Sequence, residues 1–264
     1  MDIFNSRIDN GKAFDWGKAS QDYAKYRDIY PPVFFQKVAD RGLCIKGQKV
    51  LDLGTGTGVV PRNMYRYGAE WTGSDISAEQ IEQAKLLAKR DGMDIHYIVS
   101  AAEDIDLPDG SFDVITACQC FFYFDYDIVL PKLAGLLKPG GRLVILFMAW
   151  LPEEDAVAGA SEKLVLRYNP AWTGGGYRRA PVYVPETAGK WFTVEAMEDY
   201  DLSVPFTRES WNGRMKACRG TGASLAPDKL AEWEKEHMEL LGRIAPPEFE
   251  VLHHAAMAVL RKKS

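Results

Sequence analysis

The stretch Lys49-Val-Leu-Asp-Leu-Gly-Thr-Gly-Thr-Gly-Val59 constrains the fold more than any other part of the chain. An apolar run from Val50 to Leu53 stops at Gly54, Gly56 and Gly58, which are separated by single threonines. Pro61 comes near the start of a helix-compatible segment, where its missing N–H costs nothing. Strand, tight loop and helix in that order open a βα unit of the nucleotide-binding kind. The glycines let the backbone approach a ligand closely, and the helix start offers free N–H groups.

The neighbours of the loop narrow the ligand. A phosphate-cradling P-loop ends in Gly-Lys-Ser/Thr, but here Val59-Val60 follow the last glycine. A dinucleotide fingerprint has a third glycine where Val59 stands. Asp52, two residues before Gly54, would repel a pyrophosphate and suits a ligand carrying an ammonium group. S-adenosylmethionine has that group, with a ribose and an adenine. Asp75, at the end of Trp71-Thr-Gly-Ser-Asp75, can accept from both ribose hydroxyls, as the acidic residue of a dinucleotide fold does.

Strands are expected near 48–53, 69–75, 94–100, 112–118 and 142–149, and helices near 59–67, 77–91 and 127–137. Ser77 with Gln80 makes a capping box, Gly92 closes that helix, and Pro139-Gly140-Gly141 is a turn. This alternation implies a doubly wound, mostly parallel α/β sheet. Ser20–Arg27 and a stretch from Pro31-Pro32 to about Ala39 read as helices before the core. Beyond Trp150 come a helix over 153–168, a Pro/Gly-rich loop over 169–190 and a strand near 194–205. Helices over 208–218 and 227–243 come next, then a last strand over 249–260.

Four blocks resemble class I S-adenosylmethionine-dependent methyltransferases, in order and at the usual spacing. They are Val50–Gly58, Asp75, Ala102-Glu-Asp-Ile-Asp-Leu-Pro-Asp-Gly-Ser-Phe-Asp113 and Leu137-Lys-Pro-Gly-Gly-Arg142, covering about residues 45–150. The segments Gln119–Asp125 and Tyr26-Arg27…Tyr30-Pro31 are similar to small-molecule enzymes of the trans-aconitate type. The resemblance implies a single Rossmann-like domain over 1–264 with seven strands. Within it, 1–40 would form an N-terminal lid and helix and 41–150 the cofactor-binding core. Residues 151–247 would supply a core strand and a substrate-side cap, and 248–264 a last strand antiparallel to the fifth.

The resemblance also distributes roles. Gly54, Thr55, Gly56 and Gly58 would wrap the methionine part of the cofactor, and Ile76 would pack on the adenine. Ala102 and Glu103 would meet the adenine edge, although Ala101 replaces the acidic residue frequent there. Cys118 and Gln119 would lie beside the reacting sulfur. Phe122 and Tyr123 stand where the family often has His-Trp, so Tyr123 is the remaining candidate base and both rings are candidate acceptor walls. Tyr23 and Arg27 would close over the cofactor, the arginine pairing with its carboxylate. Arg214 and Arg219 are candidates to receive an acidic acceptor. The product would be S-adenosylhomocysteine. The alternative is a non-catalytic module that binds either compound to regulate a partner.

Other features exclude more than they assign. A net charge of −5 with no dominant basic patch argues against nucleic acid as main partner. With no signal peptide and no run of 18 apolar residues, a reducing cytoplasm and no membrane association are expected. Cys44, Cys118, Cys120 and Cys218 have no metal-ligand spacing. His96 and His237 read as solvated or helix-face residues, while His253 and His254 alternate across the last strand, so that one should point inward and one outward.

Overall fold

The computed structural model describes Ile3 and residues 8–263. Among them, seven strands form one sheet: β1 (Lys49–Leu53), β2 (Glu70–Asp75), β3 (Ile95–Val99), β4 (Phe112–Cys118), β5 (Leu137–Trp150), β6 (Phe192–Thr207) and β7 (Glu248–Lys262). Their spatial order is β3-β2-β1-β4-β5-β7-β6. The pairs β1–β2, β1–β4, β2–β3 and β4–β5 are parallel. From β1 the chain winds outward through β2 and β3, then returns to the other side of β1 with β4. That reversal opens a crevice at the carboxyl ends of the strands, the usual ligand position in such sheets.

The helices are α1 (Ser20–Tyr26), α2 (Pro32–Ala39), α3 (Val59–Met64), α4 (Ala78–Arg90), α5 (Tyr126–Leu136), α6 (Ala156–Tyr168), α7 (Arg208–Lys216) and α8 (Pro227–Ile244). Four residues of β1 in succession are buried, as expected when both faces of a parallel sheet are covered. Ser77 accepts a hydrogen bond from Gln80 N and so satisfies a donor at the start of α4. Ile81, Ala84 and Ala88 on one side of α4 then pack with Tyr97 of β3.

Two boundaries differ from the sequence expectation. β5 begins at Leu137 because the Pro139–Gly141 turn lies inside the strand as a bulge. The register jumps from Phe112↔Leu137 to Val114↔Arg142, with Gly140 at φ 72°. The helix expected to run to residue 67 ends at Met64, continues as a 3-10 turn over Tyr65–Tyr67 and stops at left-handed Gly68.

Residues cluster into two compact units. The core unit comprises Tyr30–Met148, Ala180–Tyr200 and Ala255–Ser264, with β1–β4 and α2–α5. An apolar cluster in it joins Leu51, Ile115, Leu133, Leu143 and Ala258. The helical unit comprises Met1–Ile29, Ala149–Arg179 and Asp201–His254, and contains α1, α6, α7 and α8. Among the described residues no helix is long and apolar enough to cross a membrane.

Candidate cofactor and acceptor site

Gly54, Gly56 and Gly58 all adopt left-handed backbone, with φ of 56°, 54° and 75°. At Gly54 the need for glycine is also steric. A Cβ there would sit 2.7 Å from Cys120 Cβ and 2.8 Å from its Sγ. The loop is tied to β2 by Thr55 N donating to Ser74 O at 2.8 Å. It leads directly into α3, whose N-cap is Gly58.

Asp75 closes the loop from the end of β2. Its carboxylate accepts from Gly56 N at 2.8 Å and from Ser77 N at 2.9 Å. Burial raises its pKa, while these backbone donors pull it down. A carboxylate has about four acceptor positions, so capacity remains for ligand hydroxyls. Ile76 beside it is 39% exposed, an apolar face open to a flat ring. This cradle fits the adenosine and amino-acid parts of S-adenosylmethionine. If Asp75 holds the ribose, Asp75→Ala should weaken S-adenosylhomocysteine binding by about 1–3 kcal/mol, roughly 5- to 150-fold in Kd. Calorimetry showing an unchanged Kd would remove Asp75 from the site.

Asp52 lies lower. It is 1% exposed, and Thr116 Oγ1 donates to its Oδ1 at 2.6 Å. Burial pushes its pKa up to about 7, against the lowering effect of that hydroxyl. Thr116 was not singled out in the sequence. Its register opposite Asp52 makes the contact.

Ala102 is buried in the segment after β3. The Glu103 side chain reaches the start of α5, where its Oε1 accepts from Asp125 N at 2.9 Å, and its backbone carbonyl accepts from Lys132 Nζ. Cys118 ends β4, and Gln119 after it has φ 65°. The Gln119 amide donates to Met148 O and its N–H to Leu146 O. Phe121–Tyr123 then form a 3-10 turn. Phe122 is 39% exposed, with its ring centroid 4.3 Å from Tyr123 and 6.3 Å from Phe147. The sequence thus places the loop, Asp52, Asp75, Ile76, Cys118, Gln119 and the aromatic block in one unit.

The other expected residues belong to the helical unit. The Arg27 guanidinium stacks 4.7 Å from the Tyr23 ring centroid, and Tyr23 meets Trp16 edge-on. On α7, the Tyr26 ring fills the space where a Cβ of Gly213 would be. Arg214 is buried, with its guanidinium 4.8 Å from the Trp150 ring centroid and Nη1 3.0 Å from Cys218 Sγ. Arg219 is engaged by Asp9, Nε to Oδ2 at 2.7 Å and Nη2 to Oδ1 at 3.2 Å.

The histidines read differently in three dimensions. His237 is fully buried between helices, its Nδ1 2.8 Å from Asn212 Oδ1 and its Nε2 2.9 Å from Ser161 Oγ. Burial lowers its pKa to about 4. His253 and His254 are both buried, because each face of β7 is covered; His254 meets Asp201 at 3.0 Å and His253 meets Val251 O.

A cleft of about 660 Å³ lies at the amino ends of β4 and β5, lined by Asp113, Lys138, Gly140, Arg142 and Glu195. It is at the opposite end of these strands from the glycine loop. Its cations are neutralised, Lys138 by Asp113 at 2.7 Å and Arg142 by Glu195 at 3.1 Å.

Comparison with known proteins agrees with this geometry. Residues 51–145 match the family described as "Methyltransferase domain". The Ubiquinone biosynthesis O-methyltransferase of Xanthomonas euvesicatoria pv. vesicatoria (strain 85-10) is 28% identical over 187 residues, 70% of this chain and 76% of that protein. The protein of the same name from Bradyrhizobium sp. (strain ORS 278) is 34% identical over 142 residues, 53% and 55% of the two chains. The YcgJ protein of Bacillus subtilis shares the fold at TM-score 0.53 and 20% identity, over 88% of this chain and 99% of that one. Residues 51–145 form a methyltransferase domain, and the fold and motifs around it are those of an S-adenosylmethionine-dependent enzyme.

Proposed function

We propose that the enzyme methylates an oxygen of a small acidic molecule, a carboxylate being the simplest acceptor. The observation that carries this is Arg214, a buried guanidinium lying over the Trp150 ring in the segment expected to bind the acceptor. A planar guanidinium orients a carboxylate in a two-pronged way that lysine does not. Arg219 is committed to Asp9, so Arg214 carries the reading of the two. The relatives' name, O-methyltransferase, supports oxygen as the methylated atom.

When bound, S-adenosylmethionine supplies a methyl carbon already activated by positive sulfur. This chain's residues then have to bind, align and exclude water. Gly54–Gly58 and Asp75 would hold the donor, with Asp52 offering negative charge to its ammonium. Ile76, Ala102 and Glu103 would border the adenine, and Cys118 and Gln119 the sulfur end. Phe122 and Tyr123 would exclude water from the reacting carbon. Tyr23 and Arg27 would serve the carboxylate of the cofactor. A carboxylate needs no base, consistent with the absence of histidine from residues 119–125. For a hydroxyl acceptor, Tyr123 is the candidate base. The enzyme is proposed to work in the reducing cytoplasm, with Cys44, Cys118, Cys120 and Cys218 as thiols outside any disulfide.

A methyl-transfer screen over acidic, phenolic, amine and apolar acceptors tests the reading. Turnover is expected with acids, and Arg214→Ala should raise the acceptor KM at least about tenfold, the scale of a lost charged hydrogen bond. Turnover confined to neutral acceptors, or full activity in Arg214→Ala, would overturn it.

A further inference from the structure

The register of the sheet places Thr116, Asp52, Gly73 and Tyr97 in one row across β4, β1, β2 and β3. Partners in register on parallel strands project to the same face. The row contains a gap, because Gly73 has no side chain. Tyr97 fills it. A Cβ on Gly73 would lie 2.9 Å from both Tyr97 Cδ1 and Cε1 and 2.9 Å from Thr55 Oγ1. The ring therefore lies across β2 and reaches towards β1.

The far end of that ring meets the glycine loop from beneath. A Cβ on Gly58 would collide with the Tyr97 hydroxyl and lie 3.0 Å from Cζ. Tyr97 is buried, and its hydroxyl has no hydrogen-bond partner among the described residues. On the other side of the loop, Cys120 fills the space next to Gly54 and lies 3.1 Å from Leu53 O. The loop is thus held between a ring from β3 and a thiol from beyond β4.

We propose that Tyr97 is a positioning residue for the methyl donor: its ring, reaching across Gly73, props Gly58 and sets the height of the loop. The inference rests on the reading that this loop holds S-adenosylmethionine. It assigns to Gly73 a role outside the loop, since any side chain there would displace the prop. Backbone hydrogen bonds from Thr55, Gly56 and Gly58 fix the loop's turns, and a rigid body packed against Gly58 removes further freedom that binding would otherwise have to remove. The ring supplies the rigid body, while the hydroxyl at its tip touches Gly58 without bonding to any described residue.

Calorimetry with S-adenosylhomocysteine on wild type, Tyr97→Phe, Tyr97→Leu, Gly58→Ala and the double variant Gly58→Ala/Tyr97→Phe tests this, with thermal unfolding alongside. Tyr97→Phe keeps the ring and should bind within about twofold of wild type. Tyr97→Leu should weaken binding about fivefold or more, and Gly58→Ala at least about tenfold, from misplacement of the loop. Removing the hydroxyl in the double variant relieves the collision and should recover at least about threefold over Gly58→Ala, whose left-handed strain is common to both. The double variant keeps the proposal testable if Tyr97→Leu does not fold. A wild-type chain that does not bind would overturn the cofactor reading and this one with it. Binding by wild type with Gly58→Ala/Tyr97→Phe no better than Gly58→Ala, or with Tyr97→Leu unchanged, would overturn this inference alone.

Discussion

Replacing Asp9 with alanine should destabilise the enzyme by about 3–5 kcal/mol, the cost of leaving a buried charge without its partner. Asp9 is 2% exposed and the Arg219 side chain 8%. The pair is bidentate, and Asp9 also accepts from Thr173 N at 2.7 Å and Thr173 Oγ1 at 2.9 Å. Three distant parts of the chain therefore meet on one carboxylate. In a protein of this size the loss corresponds to a fall in Tm on the order of 10 °C. Arg219→Met removes the charge and keeps the apolar stem over Phe14. Combined with Asp9→Ala it should cost less than Asp9→Ala alone, because no charge is then stranded. Denaturant unfolding of both single variants and the double measures this. A loss under about 1 kcal/mol for Asp9→Ala would mean that the guanidinium finds water, as exposed pairs do.

Affinity for S-adenosylhomocysteine should fall as pH drops below about 7, by up to tenfold per unit, and Asp52→Asn should flatten the profile. The Asp52 carboxyl titrates near 7 in the free protein because it is buried. An ammonium above it favours the ionised form, so binding below pH 7 must release a proton. The ligand ammonium stays charged across that range. The sign for stability is opposite. The folded pKa lies above the ordinary 3.8, so the unfolded chain loses its proton first as pH rises. The free protein should lose stability between about pH 4 and 7, on the order of 1.4 kcal/mol per unit, and gain it back on binding ligand. Asp52→Asn should remove that slope while weakening binding at pH 8. A wild-type affinity that is flat from pH 5 to 8 would show that Asp52 does not face the cofactor charge.

Much of the candidate site was legible because the placement of its backbone is local. The glycines, Asp52 and Asp75 sit at strand ends, where the position of a residue in the chain fixes where its backbone goes. Thr116, Tyr97 and Cys120 were not legible as partners of that loop. Each reaches it through strand register or through a turn after β4, and register depends on which strands become neighbours. His96 is exposed as expected, but the burial of His237, His253 and His254 was not legible, for a related reason. Helical spacing puts His237 on a face of α8, but only the packing of Ser161 and Asn212 against that face determines that it is buried.

By itself, the sequence determined a strand–loop–helix of the kind expected to take an adenosyl ligand, the alternation that makes the sheet parallel, and the order of the motifs along it. These follow from backbone conformation and hydrophobic period, which act over a few residues. The tertiary structure alone decided that Arg219 is neutralised by Asp9, that Arg214 lies on Trp150, and that a tyrosine from β3 supports the glycine loop. Those outcomes depend on side chains far apart in sequence competing for the same enclosed space, where desolvation makes an ion pair or a steric fit decisive.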